Sequence, residues 1–339
     1  MDIASSIQFV TEEIMFGIAG YVRKQTGLKN LCMAGGVALN CVGNGKIYKE
    51  KIFDSIWVQP ASGDAGGALG AALAVHYHYL DKGRSTDNMN DNMNGSYLGP
   101  AFGREDIKEF LERNGYSYIE LKEEELIEAV AKKLEKGEII GWFQGRMEFG
   151  PRSLGARSII ADARNPEMQK KMNLKIKFRE SFRPFAPSVL REQVSEWFEY
   201  AGESPYMLIV ANVKEDKLIP MTDEQKRFFG INKLNVPRSV MPAITHVDNS
   251  TRIQTVDSRF APRYHKLIKK FYEKTGFPVI INTSFNVRGE PIVCTPEDAY
   301  QCFMRTDMDV LILEDFLLEK TEQPQWKENK DWQKEFEPD

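Results

Sequence analysis

The chain has 339 residues, 42% hydrophobic and 28% charged, with a formal net charge of −4; this is long enough for two domains with separate cores, and the charge gives no global attraction to nucleic acid or anionic membrane. No run of about 18 apolar residues is present to span a membrane, and residues 1–10 lack the basic and apolar regions of a secretory signal. Cys32, Cys41, Cys294 and Cys302 are scattered without a CxxC pair, which argues against a disulfide framework or zinc site and predicts a reducing, cytoplasmic setting.

In chain order, Ile7, Val10, Ile14, Ile18 and Val22 recur at helical spacing and predict an amphipathic helix up to about residue 26. An apolar strand at 31–34 ends in Gly35-Gly36, with a helix expected from about Val37. A second such unit follows, with a strand at 55–58, a turn at 60–64 and a small-residue helix at 65–79. Two strand–glycine-turn–helix units in succession predict α/β architecture. Residues 82–96 are polar and Asn-rich and predict a linker or long surface loop. A second domain opens near Tyr97, with an amphipathic helix at 123–136 and strands at 139–143, 207–213, 253–256, 279–281 and 310–313. The residues after Lys320, with Trp326 and Trp332, predict a charged surface tail.

Charge is unevenly distributed. Residues 141–191 carry 11 Lys or Arg against four acids, a net of +7 within a chain of −4. Such a cationic block in an acidic protein suggests a small anionic ligand. Arg146, Arg152 and Arg157 fall within twelve residues framed by Gly145, Gly150, Pro151 and Gly155, a spacing poor for a solvated helix and suited to bidentate anion capture on a rigid loop. Lys175, Lys177, Arg179 and Arg183 follow, interleaved with Phe178, Phe182 and Phe185; a single-stranded nucleic-acid platform or a half-buried strand also fits that pattern. Gly35-Gly36 let backbone N–H groups approach an anion, or simply close a turn. Asp64 opens a Gly/Ala helix, where it either caps the helix or ligates a hard cation. The loop after the strand at 279–281 gathers Asn282, Ser284 and Arg288 at a strand end. His246 and Asp248 are expected on one face of a strand, without a matching nucleophile.

Together, LKNLCMAGGVALNCVGNGKI, SGDAGGALGAAL, YLGPAF, GWFQGRMEFGPRSLGARSIIAD, IKFRESFRPFAPSVL, AITHVDNSTRIQTV and VIINTSFNVRGEPIVCTPEDA resemble, in order, the O-carbamoyltransferase family of the nodulation protein U and tobramycin carbamoyltransferase type. The resemblance covers about residues 28–299. It implies an α/β chain in which residues 1–95 are part of an actin-like ATPase unit (tRNA threonylcarbamoyltransferase-like) plus linker, residues 96–320 are a YrdC-like domain, and 321–339 are a tail.

The family's YrdC-like domain forms carbamoyl-adenylate and pyrophosphate from carbamoyl phosphate and ATP, and the actin-like domain, with a divalent metal (iron or magnesium), passes the carbamoyl group to an acceptor hydroxyl. By resemblance Asp64 is the metal-binding aspartate, and Gly35, Gly36 and Asn40 belong to its nucleotide-side loop. Arg152, Lys177, Arg252 and Arg288 are expected to act on carbamoyl phosphate and the adenylate, with Arg146, Arg157, Arg183, Asn282 and Ser284 binding beside them. Family members carry a longer N-terminal half with an HxxxH metal motif, which this sequence lacks. The resemblance therefore implies a C-terminal part that keeps activation, lacks a complete transfer site, and has a missing N-terminal half as partner. No membrane or nucleic-acid partner is expected. A non-catalytic nucleic-acid-binding module and an actin-like kinase fragment are the alternatives.

Overall fold

In the computed structural model, which describes residues 2–85 and 91–326, the chain opens with α1 (Asp2–Thr26). Two strand–turn–helix units follow, β1 (Asn30–Met33) with α2 (Cys41–Lys49) and β2 (Ser55–Val58) with α3 (Asp64–Ala74). β1 and β2 pair in parallel. The helix expected from Val37 starts later. Gly36–Leu39 forms a 3-10 turn, and Asn40 Oδ1 caps α2 by accepting the Gly43 N–H at 3.0 Å. α3 runs on into a π turn at Val75–Tyr79.

α1 is helical as expected, but Ile7, Val10, Ile14 and Ile18 are exposed, whereas Glu12, Met15 and Ala19 are buried. The reason lies in α2. Gly43 lacks a side chain, so the Met15 thioether fills the space a Cβ there would take. Glu12 pairs with Lys46, and Gln8 exchanges side-chain hydrogen bonds with Asn40.

Residues 86–90 of the expected linker lie outside the described residues, and the part after them is anchored rather than loose. Asp91 Oδ2 accepts from the Trp57 indole at 3.0 Å and from the Tyr206 hydroxyl, and Met93, Gly95 and Ser96 are buried.

The remaining elements are α4 (Arg104–Asn114), β3 (Ile119–Glu120), α5 (Glu123–Glu135), β4 (Ile140–Phe143), β5 (Arg157–Asp162), α6 (Met168–Lys175), β6 (Ala186–Leu190) and the one-turn α7 (Val194–Trp197). They continue with β7 (Ile209–Asn212), the short helices α8 (Asp223–Lys226) and α9 (Ile231–Leu234), β8 (Ser250–Val256), α10 (Pro262–Thr275), β9 (Val279–Ser284), α11 (Pro296–Arg305), β10 (Val310–Leu313) and β11 (Phe316–Glu319). Among the described residues nine strands form one mixed sheet in the order β3-β11-β10-β4-β5-β9-β6-β8-β7. β10–β4 and β6–β8 pair in parallel, the others antiparallel.

Helices cover both faces. Val279 and Ile281 of β9 pack under α4, α6 and α11, while Ile280 packs under α5 and α10. α5 buries Leu126, Ile127, Val130, Ala131 and Leu134 at three- and four-residue spacing; each large side chain buried this way stabilises by roughly 1.5–3 kcal/mol. Thr295 and Asp298 cap α11 reciprocally ahead of Pro296. Trp326 packs against Tyr300, with centroids 5.9 Å apart; the tail from 327 on, including Trp332, lies outside the described residues.

Candidate active site

Strand alternation puts Arg252 and Gln254 of β8 on the sheet face that carries Asn282 and Ser284 of β9, the face covered farther along by α5 and α10. Asn282 Nδ2 donates to Gln254 Oε1 at 2.8 Å and to the Ser153 carbonyl at 3.1 Å, and Gln254 Nε2 donates to the Leu154 carbonyl at 2.7 Å. These bonds tie the loop carrying Arg152 onto the sheet. From beneath, the buried Glu148 carboxylate accepts the N–H groups of Leu154 at 2.6 Å and Ala156 at 2.8 Å. Gly155 has φ +110°, and a Cβ there would lie 2.4 Å from the Tyr264 ring, so both conformation and space require glycine.

The loop presents Arg152 to other cations. Burial, then the facing Arg252, pull the Arg152 guanidinium down to about 10. Arg179 is likewise lowered to about 10 by burial, then by Arg183, with a smaller effect from Arg252. Among the described residues Arg152 and Arg252 have no hydrogen-bond or ion-pair partner, and Glu180 serves Arg183 at 3.0 Å and Arg288 at 3.5 Å. Arg152 Nε, Ser153 Oγ and Asn282 Oδ1 are buried without a partner. Clustered arginines beside unsatisfied polar atoms form an anion-binding arrangement, because a bound anion supplies the missing countercharge and acceptors.

An adjoining cavity of about 420 Å³ is lined by Lys177, Arg179, Arg183, Ser284, Asn286 and Arg288, among others. Lys177 is buried, and its ammonium reaches four oxygens: the carbonyl and hydroxyl (3.2 Å) of Ser284, and the carbonyl (2.9 Å) and side-chain oxygen (2.8 Å) of Asn286. Burial, then Arg179, lower its pKa to about 7, against oxygens that favour the charged form. Lys177 thus pins the loop after β9.

Other expected site residues fall elsewhere. Arg157 lies in β5, a central strand absent from the sequence reading, and is fully buried. Its guanidinium stacks 3.5 Å from the Phe143 ring and donates to the carbonyls of Gln144, Gly145, Ala156 and Pro100. It is a structural arginine. Arg146 is exposed and donates to the Leu98 carbonyl at 3.2 Å. Asn40 is occupied as the α2 cap. Gly35 and Gly36 are exposed in the turn after β1, and Asp64 is exposed at the start of α3, with Gly63 in the cap position. His246 and Asp248 occupy a turn rather than a strand, bridged by the Ser250 hydroxyl, and burial lowers the imidazole to about 4. Phe185 is buried beneath Arg179 while Phe178 and Phe182 are exposed, so the three do not form one stacking surface. Arg179, named in the sequence only as part of the basic run and given no site role there, belongs to the cluster; its signal was position between Lys177 and Arg183.

Family models of the carbamoyltransferase C-terminus and N-terminus match residues 131–320 and 1–73. The chain belongs to the carbamoyltransferase family. Protein sll1178 of Synechocystis is 58% identical over all of this chain and 55% of its own length. Nodulation protein NolO of Bradyrhizobium diazoefficiens is 41% identical over 94% of this chain and 54% of its own, and nodulation protein U of Rhizobium tropici 32% over 81% and 41%. The chain thus spans about half the length of the curated relatives it matches. Full-length HypF, solved in a phosphate- and nucleotide-bound form, is 19% identical with a TM-score of 0.36 over 58% of this chain and 22% of that one, too remote to carry an argument about the site.

Proposed function

We propose that the cluster of Arg152, Arg179, Arg183 and Arg252 binds the phosphates of carbamoyl phosphate and ATP and forms carbamoyl-adenylate. On this reading residues 1–95 are the actin-like part and 96–320 the YrdC-like domain. The observation that carries it is the half-buried pair Arg152 and Arg252, near enough for Arg252 to depress the Arg152 guanidinium and neither with a hydrogen-bond or ion-pair partner among the described residues. Bringing two polyanions together is repulsive, and preplaced cations lower that barrier and stabilise charge developing at phosphorus. For the atoms to balance, water releases phosphate from carbamoyl phosphate, a carbamate oxygen attacks the α-phosphorus, and pyrophosphate leaves. Arg288, Asn282 and Ser284 line the same strand end and orient the reacting groups, while Lys177 holds their loop.

The carbamoyl group then passes to an acceptor hydroxyl. The family resemblance implies a divalent metal for that step, but the residues present do not fit one. Asp64 is exposed, and among the described residues no three His, Cys, Asp or Glu side chains come together. No step is assigned to a metal on this chain.

The test is pyrophosphate release from ATP in the presence and absence of carbamoyl phosphate, with Arg152→Ala and Lys177→Ala alongside. Carbamoyl-phosphate-dependent release that falls in both variants is expected. ADP release instead, or unchanged turnover in both, overturns the assignment.

A further inference from the structure

The loop after β9 holds a carboxylate that the proposed reaction does not use. Glu290 closes a turn with Val287, its N–H donating to the Val287 carbonyl at 3.3 Å, and Gly289 at φ +76° supplies the left-handed residue that the turn needs. The Glu290 side chain then folds back over this turn. Oε2 accepts the Val287 N–H at 3.1 Å, and Oε1 lies 3.8 Å from Arg305 of α11, whose side chain is buried. Burial pushes the Glu290 carboxyl up, and the Val287 N–H and Arg305 pull it back only in part. A buried ion pair held at such a cost is weak evidence for stability. The backbone bond and the glycine already close the turn; what the carboxylate adds is a fixed attachment to α11.

That attachment governs one wall of the cavity of about 420 Å³. Asn286 donates from Nδ2 to the Glu290 carbonyl at 2.6 Å, which turns Oδ1 toward the Lys177 ammonium at 2.8 Å and the Ser284 hydroxyl at 2.7 Å. A flipped amide would set its NH2 group against the ammonium, donor against donor. Arg288 sits within the turn and lines the same cavity, and its N–H donates to the Lys177 carbonyl at 3.3 Å. We infer that Glu290 is a positioning residue: fastened to Arg305, it fixes the turn that carries Arg288 and the Asn286 amide that holds Lys177 and Ser284. Glu290 borders the cavity, but its two carboxylate oxygens are committed to Val287 and Arg305, so it acts through its neighbours. This role rests on the reaction proposed above, to which it adds a support reaching back into α11.

The test is a double-mutant cycle on Glu290→Ala and Arg305→Met, read by carbamoyl-phosphate-dependent pyrophosphate release and by amide hydrogen exchange of the unliganded chain. Each single variant should lower kcat by roughly 10–100-fold, the cost of a slightly misplaced wall, and leave KM for ATP within about threefold. The double variant should be no worse than the weaker single, because both remove one attachment. The Val287 and Arg288 amides should exchange faster in each. Glu290→Gln keeps the volume and an acceptor for Val287 but offers Arg305 no charge; it covers the case in which the other variants do not fold, and should still lose roughly tenfold in kcat. Parental kcat in Glu290→Gln, losses that multiply in the double variant, or parental exchange at Val287 and Arg288 each overturn the role of Glu290 while the parent remains active. A parent with no carbamoyl-phosphate-dependent release overturns the reaction proposed above, and this role with it.

Discussion

Replacing Arg152 with methionine tests whether it is the anion-binding arginine proposed above rather than a structural one. The side chain keeps most of its packing volume but loses a charge that has no partner among the described residues. Lowering that guanidinium to about 10 corresponds to roughly 3 kcal/mol of penalty on the charged form. Burial is the larger part and the facing Arg252 the next, and methionine removes both. No hydrogen bond within the protein is lost in exchange. Arg152→Met is therefore expected to be more stable by about 1 kcal/mol, raising Tm by about 2–4 °C. Turnover should move the other way. Loss of one preorganised cation from phosphoryl chemistry costs about 10²–10³ in kcat/KM. The paired assay is a thermal melt and carbamoyl-phosphate-dependent pyrophosphate release on the same preparation. Inorganic phosphate should raise the parent's Tm and leave the variant's unchanged, because a ligand stabilises only the state it binds. A variant that melts lower and turns over at the parental rate would refute the reasoning.

Arg157→Met should behave oppositely, destabilising by about 2–4 kcal/mol because four backbone carbonyls lose their donor; urea unfolding measures it, and parental stability would show that those carbonyls do not depend on the guanidinium. The Lys177 amine sits at about 7 when folded against an ordinary 10.5. Between those values the unfolded chain binds more protons, so stability should rise with pH by up to about 1.4 kcal/mol per unit. Urea midpoints compared at about pH 7.5 and 9 should show that slope in the parent and not in Lys177→Met; equal slopes would contradict it. Gly45→Ala places a Cβ 2.2 Å from the Val210 carbonyl oxygen, backbone against backbone. α2 must then move off β7, at a cost of about 1–3 kcal/mol, visible as a lower Tm and faster proteolysis of the first unit.

The legible parts of this chain were those where one face or one period decides the structure. α5 announced itself through its spacing, and β2 and β10 through short apolar runs. β5 and β6 did not, for physical reasons. β5 reads Arg-Ser-Ile-Ile-Ala-Asp, charged at both ends, immediately after the glycine-framed loop. β6 contains Pro187, which offers no N–H to a ladder. Both lie inside a sheet covered on both faces, so neither shows the alternation that marks a half-exposed strand.

The error at Arg157 follows from the same cause. Along the chain Arg146, Arg152 and Arg157 look equivalent, three cations among glycines. What distinguishes them is long-range. The β4–β5 register sets Phe143 opposite Arg157 and places its guanidinium on the ring, while Asn282 and Gln254, more than 100 residues away in sequence, hold the loop that turns Arg152 toward Arg252. Charge density in sequence therefore marks a basic segment, but not which of its arginines faces Arg252. That choice belongs to strand pairing, and the opposite stability responses expected for Arg152→Met and Arg157→Met put it to measurement.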